Sequence, residues 1–274
     1  MKKNLKLLIA GIVAVVLLSI YCIWQNEDVG VSNYEYVSEK IGKDLDGYRI
    51  VHVSDLHNKE FGKNSKRLVS MIEKQKPDII VISGDLIDSR RTDIESALGF
   101  VSQITKIAPV YYVTGNHEER FEPDMLAYVL SSLEELGVTV LENESVAVYK
   151  DEESFVLYGL KEGTIEYGIE VDGFSETNKL KVMLAHKPHH FEEYHGMGAD
   201  LVLSGHAHGG QVRIPFVGGV FAPDQFFFPK YTSGMHEYNG MTVVISRGLG
   251  NSRCPIRVNN RPELVVLTLK SKDM

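Results

Sequence analysis

Five short polar motifs occur in one order along this chain, and each comes directly after a run rich in β-branched residues. They are Asp55-Leu56-His57, Gly84-Asp85-Leu86-Ile87-Asp88, Gly115-Asn116-His117-Glu118, the single His186, and Gly205-His206-Ala207-His208-Gly209-Gly210. An apolar run that stops at polar groups predicts a buried strand with a site at its carboxyl end. Five such stops restrict the fold to one that gathers several strand ends at a common edge. Residues 48–53, 78–82 and 110–113 are the first three strands. Between them, residues 63–75 carry Leu68, Val69 and Ile72 at helical spacing, and residues 93–107 carry Ile94, Leu98, Val101 and Ile104. Pro77 and Pro109 close these helices. Strand, motif and helix in repeated succession predict parallel strands joined by right-handed crossovers.

A further helix is predicted over residues 123–136, ended by Gly137. The pattern then turns strand-rich. Residues 138–141, 145–149 and 155–160 are expected as antiparallel strands, with Asp151-Glu152-Glu153 at a turn. Residues 181–185 lead into His186, residues 201–203 lead into the last motif, and residues 243–246 and 264–269 finish the core. There is no internal repeat. The simplest organisation is one α/β domain over residues 45–274, preceded by a polar tether over residues 25–44.

The N-terminus is of a different kind. Lys2, Lys3 and Lys6 form a basic end (residues 1–6) before an almost unbroken apolar stretch over residues 7–24. As a helix, roughly 18 residues rise about 27 Å, near the thickness of a bilayer core. The stretch is long for a cleaved signal peptide and no small-x-small site follows it. Tyr21 is too bulky before Cys22 for a lipid-attachment site. A membrane anchor is therefore expected. Lysines before the helix and Asn26, Glu27 and Asp28 after it place the N-terminus in the cytoplasm and the domain outside it. The net charge is −8, with no basic run elsewhere, so the backbone of a long nucleic acid is not the expected partner. Two cysteines exclude a disulfide framework.

The motifs supply carboxylates, imidazoles and one side-chain amide, a ligand set suited to divalent cations. In an extended segment, positions i and i+2 face one side, so Asp55 with His57 and His206 with His208 can each converge on one ion. Asp85 follows a glycine that lets the chain turn, and its two oxygens can serve two ions. Asn116 offers a neutral oxygen, and His117 lies beside the ions without having to bind one. Singly, each motif is as well explained by a turn or a helix cap. In combination and at strand ends, they point to two adjacent cations. Such a pair clamps an in-line displacement at phosphorus and lowers the pKa of a bound water.

This ordered set resembles the calcineurin-like metallophosphoesterase superfamily, from about Arg49 to the last strand. The resemblance implies a sandwich of two mixed β-sheets packed face to face and flanked by helices. By position, Asp55, His57 and His208 look like ligands of one metal. Asn116, His186 and His206 look like ligands of the other, with Asp85 bridging. His117 matches the histidine that contacts the phosphate and helps the leaving group depart, and Asp88 the acid that orients it. In the phosphoprotein-phosphatase branches an arginine follows the second aspartate. Here Ser89 stands there, which argues against that branch. Gly209-Gly210-Gln211-Val212-Arg213, Ala222-Pro223-Asp224-Gln225 and Ser246-Arg247-Gly248-Leu249-Gly250-Asn251 are similar to the membrane-associated bacterial phosphodiesterase branch. That branch overlaps with enzymes that cleave the pyrophosphate of a UDP-linked diacyl sugar.

The implied activity is hydrolysis of a phosphate ester, foremost a diester, with Mn or Zn as the metals and Fe as a further candidate. Lipid-linked and cell-envelope phosphoesters are the expected substrate classes. Arg247 and Arg253 are candidates for pairing with the phosphate, with surface solvation or structural salt bridges as the alternative, and Arg257 stands under the same two readings. Residues 214–231 place Phe216, Val217, Val220, Phe221, Phe226, Phe227 and Phe228 among Gly and Pro directly after the last motif. They either pack beneath their own loop or meet an acyl chain or the outer leaflet. His52, His189, His190, His195 and His236 lack ligand spacing and are expected to be structural or exposed. A nuclease and a non-catalytic metal-binding surface protein are the competing classes; the acidic balance weighs against the first and the intact ligand set against the second.

Overall fold

The computed structural model describes residues 2–174, 177–252 and 255–272. Helix α1 (Lys2–Glu27) is followed by β1 (Gly30–Ser38), β2 (Arg49–Val53), α2 (Lys66–Lys74), β3 (Ile79–Ser83), α3 (Ile94–Ile104), β4 (Val110–Val113), α4 (Pro123–Glu135) and β5 (Val138–Val140). The second half runs β6 (Glu144–Lys150), β7 (Glu153–Gly159), β8 (Lys181–Leu184), α5 (Phe191–Gly196) and β9 (Leu201–Ser204). Four two-residue strands follow, β10 (Arg213–Ile214), β11 (Gly218–Gly219), β12 (Phe221–Ala222) and β13 (Phe226–Phe227). The last three are β14 (Gly234–Tyr238), β15 (Met241–Ile245) and β16 (Glu263–Ser271).

Two six-stranded mixed sheets result, with strand orders β1-β16-β2-β3-β4-β5 and β14-β15-β9-β8-β7-β6. Their facing surfaces form one apolar layer, with Ile50, Ile79, Val81, Val265 and Leu267 from the first sheet against Leu157, Val182, Leu184, Leu203 and Val244 from the second. The outer face of the first sheet packs on α2, α3 and α4 through Leu68, Ile72, Phe100, Val101, Ile104, Val129 and Leu133. The outer face of the second packs on α5 through Phe191 and Tyr194. All five residues of β3 are buried, because a central parallel strand is covered on both faces. In α3 the buried positions Ala97, Phe100, Val101 and Ile104 make one stripe, and the Asp93 side chain caps the helix by accepting from the Ser96 N–H at 3.0 Å. The face-to-face sandwich with flanking helices is the one the resemblance implied.

Two expectations need correction. Most of the expected tether is structure: β1 pairs in parallel with β16, Gly30 opposite Glu263 through Ser38 opposite Ser271. Tyr34 and Tyr36 turn toward the inter-sheet layer while their neighbours face out, the alternation of an edge strand with one solvated face. The second concerns β5, which is not antiparallel: it adds to β4 in parallel after the α4 crossover, and of the three strands expected to be antiparallel β6 and β7 pair that way. Helix α1 is apolar over a span long enough to cross a membrane, with none of that span buried against the domain.

Candidate metal centre

The five motifs leave the carboxyl ends of β2, β3, β4, β8 and β9, which come together along one edge of both sheets. At those ends the backbone turns abruptly. Asp55, His57, Asp85, His206 and His208 all have left-handed φ, from 47° to 64°. For residues with a Cβ this costs about 1–2 kcal/mol each and persists only where the surroundings over-determine it. They do so here by cross-bonding between motifs. Asp55 N–H donates to the Gly84 carbonyl at 3.1 Å and His57 N–H to the Asp85 carbonyl at 3.0 Å. Asp85 Oδ1 accepts from His117 N–H at 2.8 Å, and both Asp55 oxygens accept from His206 N–H at 3.0 and 3.1 Å. Gly84 and Gly115 lie back to back. A Cβ on Gly115 would stand 2.3 Å from Asp85 Oδ1, so only glycine lets these two loops approach.

The structure brings all seven expected metal ligands together. One group of buried donors is Asp55, His57, Asp85 and His208; another is Asp85, His186 and His206, the ligand atoms of each lying within 4.8 Å of one another. Asp85 belongs to both. Its Oδ2 is 3.5 Å from His57 Nε2 and 3.4 Å from His186 Nε2. Asn116 Oδ1 is 3.1 Å from His186 Nε2, placing the amide with the second group. His186 Nδ1–H donates to the Ser83 carbonyl at 2.7 Å, which leaves Nε2 facing the cluster as the atom that a metal would take in place of a proton.

This donor set fits cations. His57 Nε2 and His208 Nε2 face each other at 3.2 Å, and burial lowers both imidazoles, His57 to about 3, so each presents a lone pair. Burial works to raise the Asp85 carboxyl, but the charge and hydrogen bond of His186 outweigh it and hold it well below the usual carboxylate range. His186 in turn is raised despite its burial, chiefly by Asp85. Two buried carboxylates thus draw positive charge into a nest of lone pairs, which divalent cations satisfy with O and N ligands.

His117 stands at the edge of the cluster, its Nε2 3.1 Å from Ser252 Oγ and 4.0 Å from Asp85 Oδ2. Asp88 Oδ1 is 3.4 Å from its Nδ1, but the Ser89 N–H donates to that same nitrogen at 3.0 Å. An accepting Nδ1 puts the proton on Nε2, toward the cluster. Burial lowers His117 more than Asp85 and Asp88 raise it, so the ring is neutral in the metal-free protein.

Several residues escaped the sequence reading. Glu118 is fully buried and accepts from the N–H groups of Asp85, Gly115 and Ile87, each at 2.9 Å. It ties the second motif to the third. Burial and Asp85 push its carboxyl up to about 8, while the N–H donors pull it down. Glu118→Gln leaves a donor facing donors. It is expected to cost about 2–3 kcal/mol and to lower the midpoint of thermal unfolding by roughly 4–12 °C; an unchanged midpoint in calorimetry would show that these bonds do not hold the loops. Asp224 Oδ2 takes His206 Nε2 at 3.0 Å, which turns His206 Nδ1 toward the cluster. Asp224→Ala is expected to weaken metal affinity 10–100-fold, to be measured by metal titration of the apoprotein. His52, set aside as structural or exposed, is buried at the base of a chain that runs by 2.7, 2.9 and 2.6 Å contacts through Ser83 and Ser54 to Asp55.

Of the three candidate arginines, Arg247 and Arg257 are held by partners inside the domain. Arg247 pairs with the buried Glu263 at 3.0 Å, the structural ion pair that was the alternative to a phosphate contact. Arg253 lies outside the described residues. Arg257 is wholly buried, gives its protons to the Gly250 and Arg247 carbonyls and to Asn251, and stands 3.5 Å from His208 Nδ1. The signal for Glu118 and Asp224 was their place within or soon after a motif; nothing in the sequence pointed to His52.

A sandwich of two sheets whose strand ends converge on a shared-carboxylate His/Asp cluster defines a metal-dependent phosphoester hydrolase. The profile of the calcineurin-like phosphoesterase family matches residues 48–210, and the chain belongs to that family. It is 30% identical over 226 residues to the phosphodiesterase YaeI of Escherichia coli, covering 81% of this chain and 82% of that one. It is also 30% identical over 242 residues to the uncharacterized metallophosphoesterase YkuE of Bacillus subtilis, covering 85% and 83%. A transmembrane protein with a metallophosphoesterase domain from Danio rerio is 30% identical over 256 residues, 88% of this chain and 57% of that protein.

Proposed function

We propose that this chain is a membrane-anchored phosphodiesterase with two metal ions, most simply Mn or Zn. Asp55, His57 and His208 would hold one ion and Asn116, His186 and His206 the other, with Asp85 available to both. The observation that carries this is the single Asp85 carboxylate common to two buried donor groups. When bound, the metals supply Lewis acidity toward the phosphoryl oxygens and an activated water. The chain's own groups do the rest. Asp224 and the Ser83 carbonyl fix the rings of His206 and His186. His117 directs Nε2–H at the phosphate and the departing oxygen, with Ser89 and Asp88 setting its orientation. Helix α1 spans the membrane with its lysines in the cytoplasm and the domain beyond it. The 30% identity to a phosphodiesterase supports the diester preference.

The test is turnover by the full chain, in detergent and loaded with Mn²⁺, of bis-(p-nitrophenyl) phosphate against p-nitrophenyl phosphate. Preferential release from the diester, abolished by a chelator and restored by metal, is expected. Preference for the monoester would replace the diester reading, and indifference to chelation would remove the metal reading.

A further inference from the structure

The aromatic segment after the last motif does not pack beneath itself. Phe216, Phe226, Phe227 and Phe228 are more than half exposed, as is Val217, and Phe221 is 41% exposed. Phe216, Phe226 and Phe228 also have left-handed backbone, so the chain holds bulky apolar rings outward in an unfavourable conformation. An exposed apolar patch of this kind beside a catalytic cluster needs an apolar environment of its own.

Its place relative to α1 says which. Tyr21 on α1 donates to Asn259 Oδ1 at 2.5 Å, and Asn259 Nδ2 donates to the Arg213 carbonyl at 3.2 Å. Arg213 immediately precedes the aromatic segment, and Asn259 lines one groove with Ile214, Phe216 and Val217. Tyr21 precedes Trp24, the last apolar residue of the span, by three positions, which is about 4.5 Å along a helix. The aromatic segment is therefore moored to α1 inside the level at which the helix is still apolar. A second link joins α1 to the site: Asn251 Nδ2 donates to Asn26 Oδ1 at 2.7 Å, and the next residue, Ser252, meets His117. The β12–β13 hairpin in turn joins the aromatic segment to the site: its strands carry Phe221, Phe226 and Phe227 and its tip carries Asp224, bonded to His206.

We infer that residues 214–228 insert their aromatic side chains into the same bilayer that α1 crosses, so that the metal cluster is held at the lipid surface. The occupant of this surface is lipid. Phe216 and Val217 enter beside α1, and the hairpin phenylalanines enter at the rim of the site. Charged groups next to the span are paired at that level, Lys59 with Glu27 at 3.2 Å and Arg261 with Asp28 at 2.8 Å, which suits them to the headgroup region. The inference rests on the membrane-spanning reading of α1.

Trp24 is the one tryptophan of the chain, which makes fluorescence a direct test. The full chain is reconstituted into phosphatidylcholine vesicles with or without bromine on the acyl chains. Trp24 in the unaltered protein reports whether α1 is in the bilayer. In a Trp24→Phe background, Phe216→Trp reports the aromatic segment. Tyr149→Trp reports the far end of the sandwich, since Tyr149 is exposed beside Lys150, which pairs with Asp78 at the start of β3. Tryptophan at 216 is expected to emit at shorter wavelength and to lose about half its emission in brominated vesicles, as for a ring roughly 5–10 Å into the headgroup and acyl boundary. Tryptophan at 149 is expected to be unaffected. Quenching of Trp24 without quenching at 216 overturns the inference and leaves the anchor intact. No quenching of Trp24 overturns the anchor reading, and the inference with it. Equal quenching at 216 and 149 overturns the specific docking, because it means the whole domain lies on lipid.

Discussion

Asp85→Asn is expected to reduce phosphodiester turnover on the order of a thousandfold or more, with almost no change in the stability of the metal-free protein. The substitution is nearly isosteric, and the amide oxygen still accepts the His117 N–H that Asp85 Oδ1 now accepts at 2.8 Å. The other oxygen is what changes. Oδ2 lies between His57 and His186, one from each donor group, and an NH₂ there brings no lone pair and no charge to either. Metals contribute several kcal/mol to charge stabilisation at phosphorus, and each 1.36 kcal/mol is tenfold in rate. The paired readout is thermal. Ligand at about 100 times its dissociation constant stabilises a folded protein by about 2.7 kcal/mol. Added Mn²⁺ should raise the unfolding midpoint of the native chain and leave that of the variant where it was. Native turnover in Asp85→Asn, with the same sensitivity to chelator, would remove the shared carboxylate from the centre of the site.

What was legible in the sequence follows from how local each cause is. Strand ends and motifs sit next to each other in the chain, so the stops at Asp55, Asp85, Asn116, His186 and His206 could be placed without knowing what paired with what. The crossover helices α2 and α3 carried their own period. Strand β1 did not, because its partner β16 lies over two hundred positions away and an edge strand with one wet face has mixed composition. The direction of β5 was misjudged although α4 stood before it as a crossover; three residues carry too little pattern to override the hairpin that follows. The supporting residues were hidden for a different reason. Glu118 matters through three backbone N–H groups on two loops, and Arg247 pairs with a glutamate sixteen positions later. Neither fact exists before the loops are brought together. The aromatic segment was visible as composition, but whether its rings turn inward or outward is a property of the backbone at Phe216, Phe226 and Phe228.

His117→Ala is expected to show what its ring does, through the leaving group. With Nδ1 accepting from Ser89, the neutral ring aims its Nε2–H at the cluster; once a solvent proton reaches Nδ1 the ring is an imidazolium, and Nε2 can give its proton to the departing oxygen and return to neutral imidazole. General acid assistance is worth about 10²–10⁴-fold, and its value rises with the basicity of the leaving group. A diester that expels an aliphatic alkoxide should therefore lose activity within that range. Bis-(p-nitrophenyl) phosphate expels an anion stable without a proton and should lose at least about tenfold less. Asp88→Asn should reproduce a weaker form of the same split, because Asp88 Oδ1 at 3.4 Å is the group that can take over Nδ1 once that nitrogen gains a proton. Equal losses on both diesters in His117→Ala would assign the ring to holding the phosphate instead of delivering a proton. The ring stands near Asp85 Oδ2, so metal content must be measured alongside: an unchanged metal content with a leaving-group split separates proton delivery from damage to the cluster.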